Sequence, residues 1–205
     1  MSINFCVPAY NSHAICEKMG GSAMSDRRWR KWELIGLFVT LIFGNLLHFV
    51  YDWSGKNRIV AAFAATNEST WEHMKLLVIP WVVWSLVEAI ALRKNRQPVL
   101  LARGLGMLVG VVFIPAVYYT YTGATGVSSM IVDVLLFQAA VLLGAWVSWR
   151  ILAKGSCIGP VWSAVGLLLL LGVWALAVWW TYDPPQLPLF IDPITGQTGL
   201  FAGKE

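Results

Sequence analysis

The chain has 205 residues, of which 58% are hydrophobic and only 13% are charged. A soluble globular domain carries roughly a quarter charged residues, so this composition excludes an ordinary soluble enzyme. The net charge of +4 comes mainly from short basic clusters beside long apolar runs. Such clusters favour contact with anionic lipid, so we expect a lipid bilayer around the chain and no nucleic acid as a partner.

The N-terminal segment, residues 1–23, lacks the apolar core of a secretory signal. Met24 opens a sequence typical of a natural start, so we expect residues 1–23 to be a disordered extension or the product of a mis-called start. The three cysteines of the chain are Cys6, Cys16 and Cys157. Their odd number, with no close pair, argues against a disulfide framework and against a cysteine-rich zinc site.

Five apolar runs follow in chain order, and each has the length of about 20 residues that a helix needs to span a bilayer. Backbone polar groups cannot stay unpaired in lipid, so runs this apolar must be helices. We therefore predict an all-α membrane bundle over residues 24–182. The five runs cover residues 33–51, 68–92, 98–121, 127–152 and 158–182.

A shorter apolar segment, residues 59–66, separates the first two runs and cannot span a bilayer. We predict a short interfacial or re-entrant helix there. The next two residues, Asn67 and Glu68, resemble a helix start. Asn67 would be the cap, and the Glu68 carboxylate would lie in the first turn, where the helix dipole favours a negative charge.

Basic residues are placed on alternate sides of the predicted spans. They precede the first span and recur between the second and third and between the fourth and fifth, whereas the opposite loops hold few. Because loops rich in Lys and Arg stay in the cytoplasm, we predict a cytoplasmic N-terminus, an outside C-terminus and a multi-pass location in the cell membrane. The three clusters are Arg27, Arg28, Arg30 and Lys31, then Arg93, Lys94, Arg96 and Arg103, then Arg150 and Lys154.

Polar residues inside the spans are the candidate functional residues, because each is costly in lipid. They lie in the outer halves of the first, second and fourth helices. Two imidazoles and several carboxylates can ligate a divalent cation, and the same groups can relay protons. The candidates for cation or proton binding are His48, Asp52, Glu68, Glu72, His73 and Asp133, with His48, Glu72, His73 and Asp133 as metal ligands and Asn45, Asn67, Lys75, Gln138 and Asp192 in support.

A structural interpretation of such charges stays open beside the functional one. Glu72 and Lys75 are three residues apart on one helix and could neutralise each other. Glu88, near the cytoplasmic end of the second helix, is predicted to pair with Arg93 or Arg103 in a structural role. The sequence alone does not separate a site from a set of ion pairs.

The C-terminal tail, residues 183–205, is rich in proline and glycine but also carries large apolar side chains. The prolines resist a helix, and residues 192–196 have the composition of a turn. A disordered tail would rarely contain side chains such as Leu189 and Phe190. We expect the tail to fold back over the outer mouth of the bundle, and the alternative is an exposed tail that docks a partner.

Three stretches resemble an uncharacterised prokaryotic family of small polytopic membrane proteins, known as a domain of unknown function. They are residues 48–54, residues 67–75, which begin with Asn-Glu-Ser-x-Trp-Glu-His, and residues 192–196. The resemblance extends over about residues 33–199. It implies a helical membrane fold and its topology, and it carries no assigned activity or catalytic residue.

The polar groups predict an integral membrane protein that binds or transports a small cation, a proton or a metal at an outward-facing site. One alternative is a membrane-embedded enzyme whose divalent metal activates water. Another is a non-catalytic accessory or assembly subunit that docks a protein partner or a second copy at its outer face. Haem held by His48 and His73 is disfavoured by the carboxylates around them. Whether the protein is an enzyme stays open.

Overall fold

The computed structural model describes Cys16 and residues 28–201. Within these residues, five helices are long and apolar enough to cross a membrane, which confirms the predicted all-α bundle. The predictions for residues 1–23 lie outside the described part of the chain, except at Cys16. The helices are α1 (Trp29–Trp53), α2 (Thr70–Ala91), α3 (Arg96–Thr125), α4 (Met130–Ala153) and α5 (Pro160–Tyr182), with 3-10 turns at Val60–Ala62, Arg93–Asn95, Pro188–Phe190 and Gly199–Phe201.

Consecutive helices run in alternating directions, so the bundle has two ends. We call the end where α1 finishes and α2 begins the histidine end, because it holds His48 and His73. The opposite end, where α2 finishes and α3 begins, is the arginine end, because it holds Arg103.

The two central helices are α2 and α3. The apolar window of α2 is 67% buried and that of α3 is 56% buried, whereas the corresponding windows of α1, α4 and α5 are 17%, 28% and 22% buried. The outer helices expose large apolar side chains such as Phe38, Ile42 and Leu168. In a bilayer these side chains face lipid, which is as apolar as they are.

Glycines allow α3 to pack closely against α4 and α5. A Cβ atom added at Gly106 would lie 2.6 Å from the carbonyl oxygen of Gly144 in α4. A Cβ atom at Gly104 would lie 2.6 Å from the carbonyl oxygen of Gly166 in α5. Such small residues let helix backbones approach one another in membranes, where packing rather than the hydrophobic effect drives association.

The start of α2 differs from the prediction by two residues. Ser69, with an extended backbone, is the cap, and its Oγ accepts a hydrogen bond from the Glu72 backbone N–H at 3.4 Å. Asn67 instead accepts a hydrogen bond from the Ser69 N–H at 2.9 Å through its side-chain oxygen. Asparagine readily closes a turn onto the N–H two residues later. Glu68 therefore precedes the helix, and Glu72 is the acidic residue of the first turn.

The segment between α1 and α2 contains a short helix, of the 3-10 type, within the predicted residues 59–66. It covers Val60–Ala62. Ala61 and Ala64 are buried beside Tyr51 of α1, and the Ala65 N–H donates to the Leu47 carbonyl oxygen at 3.3 Å. Side-chain packing and a backbone hydrogen bond thus fix the segment against α1.

Cys16 and Cys157 form a disulfide with their Cα atoms 5.8 Å apart. This finding overturns the sequence argument against a disulfide. The two cysteines are 141 residues apart in sequence, and the spacing rule applies to small cysteine-rich domains. The spacing rule could not predict the contact between Cys16 and Cys157, which lies in the α4–α5 loop at the arginine end.

The segment after α5 packs on the histidine end of the bundle. Phe190 is buried, and its ring centroid lies 4.9 Å from that of Trp71 and 5.4 Å from that of Trp180. The Asn67 side-chain amide donates to the Gly199 carbonyl oxygen at 3.1 Å. The segment is thereby attached to the start of α2 and to the end of α5.

Candidate functional site

The end of α1 and the start of α2 bring His48, Glu68 and His73 together at the histidine end. His48 lies in the last turns of α1, Glu68 in the loop before α2, and His73 in the first turns of α2. The Asn67 turn and the Ser69 cap fix the backbone on both sides of Glu68. The local sequence around the cap therefore places the carboxylate between the two rings.

The side chains of these three residues form a compact cluster, which we call the histidine cluster. His48 Nε2 lies 3.7 Å from one Glu68 carboxylate oxygen, and His73 Nε2 lies 3.4 Å from the other. The two imidazole centroids are 5.3 Å apart. One ligand atom from each residue lies within 4.8 Å of the other two. All three side chains are partly exposed.

The backbone of the Ser69 cap sets the orientation of His73. The His73 Nδ1 atom lies 3.0 Å from the Ser69 carbonyl oxygen. A carbonyl oxygen can only accept, so Nδ1 carries the hydrogen and donates it. The other ring nitrogen, Nε2, then faces Glu68. Metal-binding histidines commonly show this arrangement, in which a second acceptor fixes the ring.

His48 has a different environment from His73. Its Nε2 faces Glu68, but its Nδ1 is buried and has no hydrogen-bond partner among the described residues. The hydrogen-bond network therefore leaves the tautomer of His48 free to change. A ring of this kind can present Nε2 as a donor to the carboxylate or as a lone pair to a cation.

The two histidines stabilise the charged form of Glu68, which lies outside the spans. The hydrogen bond from His73 lowers the pKa of the Glu68 carboxyl, and the charges of His73 and His48 act in the same direction, whereas burial alone would raise it. At neutral pH the cluster therefore contains a carboxylate, the form that binds a cation.

Glu72 is placed away from the histidine cluster, in a buried ion pair. Its Oε2 lies 2.6 Å from Lys75 Nζ and accepts a hydrogen bond from the Thr66 N–H at 2.9 Å. Its Oε1 accepts a hydrogen bond from the Thr181 hydroxyl at 2.9 Å. Lys75 also donates to the Ala61 carbonyl oxygen at 2.8 Å. These contacts occupy both carboxylate oxygens and join α2, α5 and the α1–α2 turn.

Asp133 also has a partner of its own. It accepts a hydrogen bond from the Tyr121 hydroxyl, whose oxygen in turn accepts from the Ser129 N–H at 3.3 Å. The contact ties the start of α4 to the end of α3. The charge of Asp133 acts on His73, so Asp133 belongs to the surroundings of the cluster rather than to its three closely spaced ligand atoms.

The remaining predicted residues are dispersed. The Gln138 amide donates to the Asn45 side-chain oxygen at 3.2 Å, which joins α4 to α1 within the spans. Asp52 is exposed at the end of α1. Asp192 is buried in the tail, where its carboxylate accepts hydrogen bonds from the Ile194 N–H at 2.9 Å and from a threonine hydroxyl at 3.0 Å. It shapes the tail turn.

A second polar cluster, which the site prediction missed, lies at the arginine end. Arg103 is fully buried, with Nη1 3.3 Å from Glu33 Oε2 and Nε 3.8 Å from Glu88 Oε2. Glu88 thus lies beside Arg103, as predicted, at 3.8 Å, while the contact of Arg103 with Glu33 was not predicted. The signal was present, because three charged residues within apolar spans need compensation.

Residues 22–200 match the model of a family described as a family of unknown function, DUF6512. This match confirms the predicted resemblance to a domain of unknown function. No curated protein and no solved structure matches the chain significantly. Evidence for function therefore comes from the chain's own geometry.

Proposed function

The chain belongs to the DUF6512 family, and we propose that it is a multi-pass membrane protein that binds one divalent transition metal ion through His48, Glu68 and His73. The observation that carries this proposal is the approach of two imidazole nitrogens and a carboxylate oxygen to within 4.8 Å of one another. His48 comes from the end of α1, and Glu68 and His73 come from the start of α2 and the loop just before it.

The chemistry of the ligands favours zinc or a similar metal. Two histidine nitrogens with one carboxylate oxygen form a donor set that zinc uses with an open fourth position, whereas calcium and magnesium prefer oxygen alone. Bonds of about 2.0–2.2 Å in a tetrahedral site separate two ligand atoms by roughly 3.3 Å. His73 Nε2 lies 3.4 Å from one Glu68 oxygen and His48 Nε2 lies 3.7 Å from the other, and both distances are close to that separation.

The same cluster binds a proton when the metal is absent. Nδ1 of His73 already donates to Ser69, so a hydrogen bond from Nε2 to the Glu68 carboxylate requires a second proton on the ring. Metal binding needs the neutral ring and therefore displaces this proton. Proton and metal compete for one site in this proposal.

We propose binding rather than passage through the bundle. On the helix that carries His73, the neighbouring ionisable groups are Glu72 and Lys75, which are buried and joined by an ion pair of 2.6 Å. Their oxygens and nitrogen are occupied by each other and by neighbouring groups. They offer an arriving ion no free ligand, which favours a resident metal over a transported one.

The partial exposure of the three side chains supports a second candidate, a metal-dependent enzyme. A fourth position open to solvent can hold water, and zinc lowers the pKa of bound water to about 7. The charge pattern of the loops further supports a histidine end that faces away from the cytoplasm. A substrate would then come from the outside or from the outer leaflet.

Metal analysis of the full chain in lipid nanodiscs tests the proposal. After incubation with zinc and removal of free metal, we expect about one zinc per wild-type chain. The double variant H48A/H73A should lose this zinc, since a carboxylate alone is a weak ligand for it. Cobalt provides a second readout, because its visible absorption reports tetrahedral nitrogen and oxygen ligands.

The matched control is D52N, which removes an exposed carboxylate one turn from His48 and leaves the cluster intact. We expect D52N to bind zinc as the wild type does. A folded wild type that takes up no zinc contradicts the proposal, and so does an H48A/H73A variant that keeps wild-type stoichiometry.

A further inference from the structure

The arginine end contains a charge imbalance that the proposed metal site does not explain. Two carboxylates, Glu33 and Glu88, lie beside a single guanidinium, Arg103, and all three side chains are buried. If both acids were ionised, the group would carry one uncompensated negative charge within an apolar bundle. Such a charge is costly, and a buried acid usually avoids the cost by keeping its proton.

Glu33 is the better-compensated acid of the two. Its Oε2 accepts a hydrogen bond from Arg103 Nη1 at 3.3 Å, and its Oε1 accepts one from the Ser148 hydroxyl at 2.7 Å. Hydrogen bonds to both oxygens stabilise the ionised form of a carboxylate. Glu33 is therefore the counter-ion of Arg103.

Glu88 lacks such partners. Neither of its carboxylate oxygens has a hydrogen-bond partner among the described residues. Its distance of 3.8 Å from Arg103 Nε is too long for a hydrogen bond. That Nε atom instead donates to the Ser85 hydroxyl at 3.0 Å, and the guanidinium lies over the Trp81 ring, 3.9 Å from its centroid.

Among the described residues, Arg103 is the buried cation at the arginine end. Glu33 from α1 and Arg103 from α3 are the groups whose charges act on it. Arg93 and Lys94, in the 3-10 turn after α2, have exposed side chains. In α4 the nearest basic residue to this end, Arg150, is exposed, and α5 contains no charged residue.

We propose that Glu88 is a proton-binding site, which holds one proton at neutral pH while Glu33 and Arg103 form the neighbouring ion pair. The proton on Glu88 supplies the second positive charge that the cluster needs. Glu88 lies three residues before the end of α2, about 4.5 Å along the helix axis, so its proton exchanges near the arginine end of the bundle. This site is independent of the histidine cluster.

Infrared spectroscopy of the full chain in nanodiscs tests this site directly, because a protonated carboxylic acid absorbs apart from a carboxylate and shifts in D₂O. At pH 7 we expect the wild type to show one protonated-acid band, which E88Q abolishes and the exposed-site control D52N keeps. In E33Q, Glu88 becomes the sole counter-ion of Arg103, so the band should disappear there too.

Several results would overturn the proposal. If the folded wild type shows no band, Glu88 is ionised, for example because a water molecule bridges it to Arg103. If the band survives E88Q or E33Q, the proton belongs to another group. A band that disappears when sodium replaces potassium means that a metal cation takes the site. E88Q should fold with a wild-type melting temperature, because an amide mimics a neutral acid; its failure to fold would show that the carboxylate is required.

Discussion

Nδ1 of His73 lies 3.0 Å from the carbonyl oxygen of Ser69, the residue that caps α2. This contact directs the other ring nitrogen toward Glu68, so a metal and a proton compete for Nε2. We predict that zinc affinity falls as pH is lowered from 7.5 to 5.5, by about tenfold or more, because free imidazole takes up a proton near pH 6.5.

Isothermal titration calorimetry at both pH values measures this loss. Repeating each titration in buffers with different heats of ionisation counts the protons released on binding. We expect proton release that grows as pH falls, and the same behaviour in D52N. An affinity that does not change with pH would contradict the assignment of the histidines as ligands.

The spans and the overall class could be predicted from sequence because they depend on local composition. Each apolar run is long enough to require a helix in lipid, and five such helices are observed. The prediction gave Asn67 as the cap of α2, whereas the structure has Ser69. Both residue types are good caps, and only the turn geometry distinguishes them.

The pairings between helices could not be predicted in the same way. Arg103 was counted with the basic residues between the second and third spans, and its distance from the helix start does not tell which face it occupies. Its burial depends on Trp81 and Ser85 of α2 and on Glu33 of α1. The spacing of Glu72 and Lys75 predicted that they could pair. The sequence did not predict that this pair would keep Glu72 out of the histidine cluster.

Glu72 should matter for stability rather than for metal binding. In E72Q, Lys75 keeps its charge in a fully buried position and loses the carboxylate 2.6 Å away. We predict a loss of about 3–5 kcal/mol in the free energy of unfolding, the usual cost of breaking a buried ion pair from one side. Denaturant unfolding in detergent micelles measures it.

The double variant E72Q/K75M should recover much of that loss, because it removes the unpaired charge. D183N, at an exposed carboxylate after α5, serves as the control and should unfold as the wild type does. If E72Q matched the wild type in stability but bound no zinc, Glu72 would be a ligand and not a structural ion pair.

Glu68 should contribute to stability in a pH-dependent manner. The hydrogen bond from His73 is the main cause that lowers the pKa of the Glu68 carboxyl below its ordinary value of 4.5. A lowered carboxyl pKa stabilises the folded state above the unfolded value, and this contribution is lost as pH falls through the folded pKa. Melting temperatures of metal-free wild type and E68Q should therefore differ at pH 7 and converge below pH 4.5. A difference that stays constant down to pH 3 would rule out this linkage.

The contact between α3 and α4 should not tolerate a methyl group at Gly106. A Cβ atom there would lie 2.6 Å from the Gly144 carbonyl oxygen, and backbone cannot move aside as a flexible side chain can. We predict that G106A costs about 1–3 kcal/mol, the usual effect of overpacking. The control G172A adds a methyl group on α5 with nothing within 4 Å and should be neutral or slightly stabilising. Equal free energies of unfolding for G106A and G172A would mean that α3 and α4 do not meet at Gly106.

The disulfide and the charge pattern favour opposite compartments for the arginine end. Cys16 and Cys157 are bonded there, and disulfides persist in oxidising compartments. The basic residues at the same end favour the cytoplasm, where thiols are kept reduced. We give the charges precedence, because they govern insertion, and predict that both thiols are reduced in intact cells and pair only after lysis in air.

Alkylation with a membrane-permeant maleimide before lysis, followed by a gel-shift assay, measures the state of these thiols in cells. We expect Cys157 to be labelled by this reagent and to be protected from a charged, impermeant maleimide added outside. C157S identifies the labelled band. A disulfide already present in cells, or labelling of Cys157 by the impermeant reagent, would reverse the orientation. The histidine cluster would then face the cytoplasm.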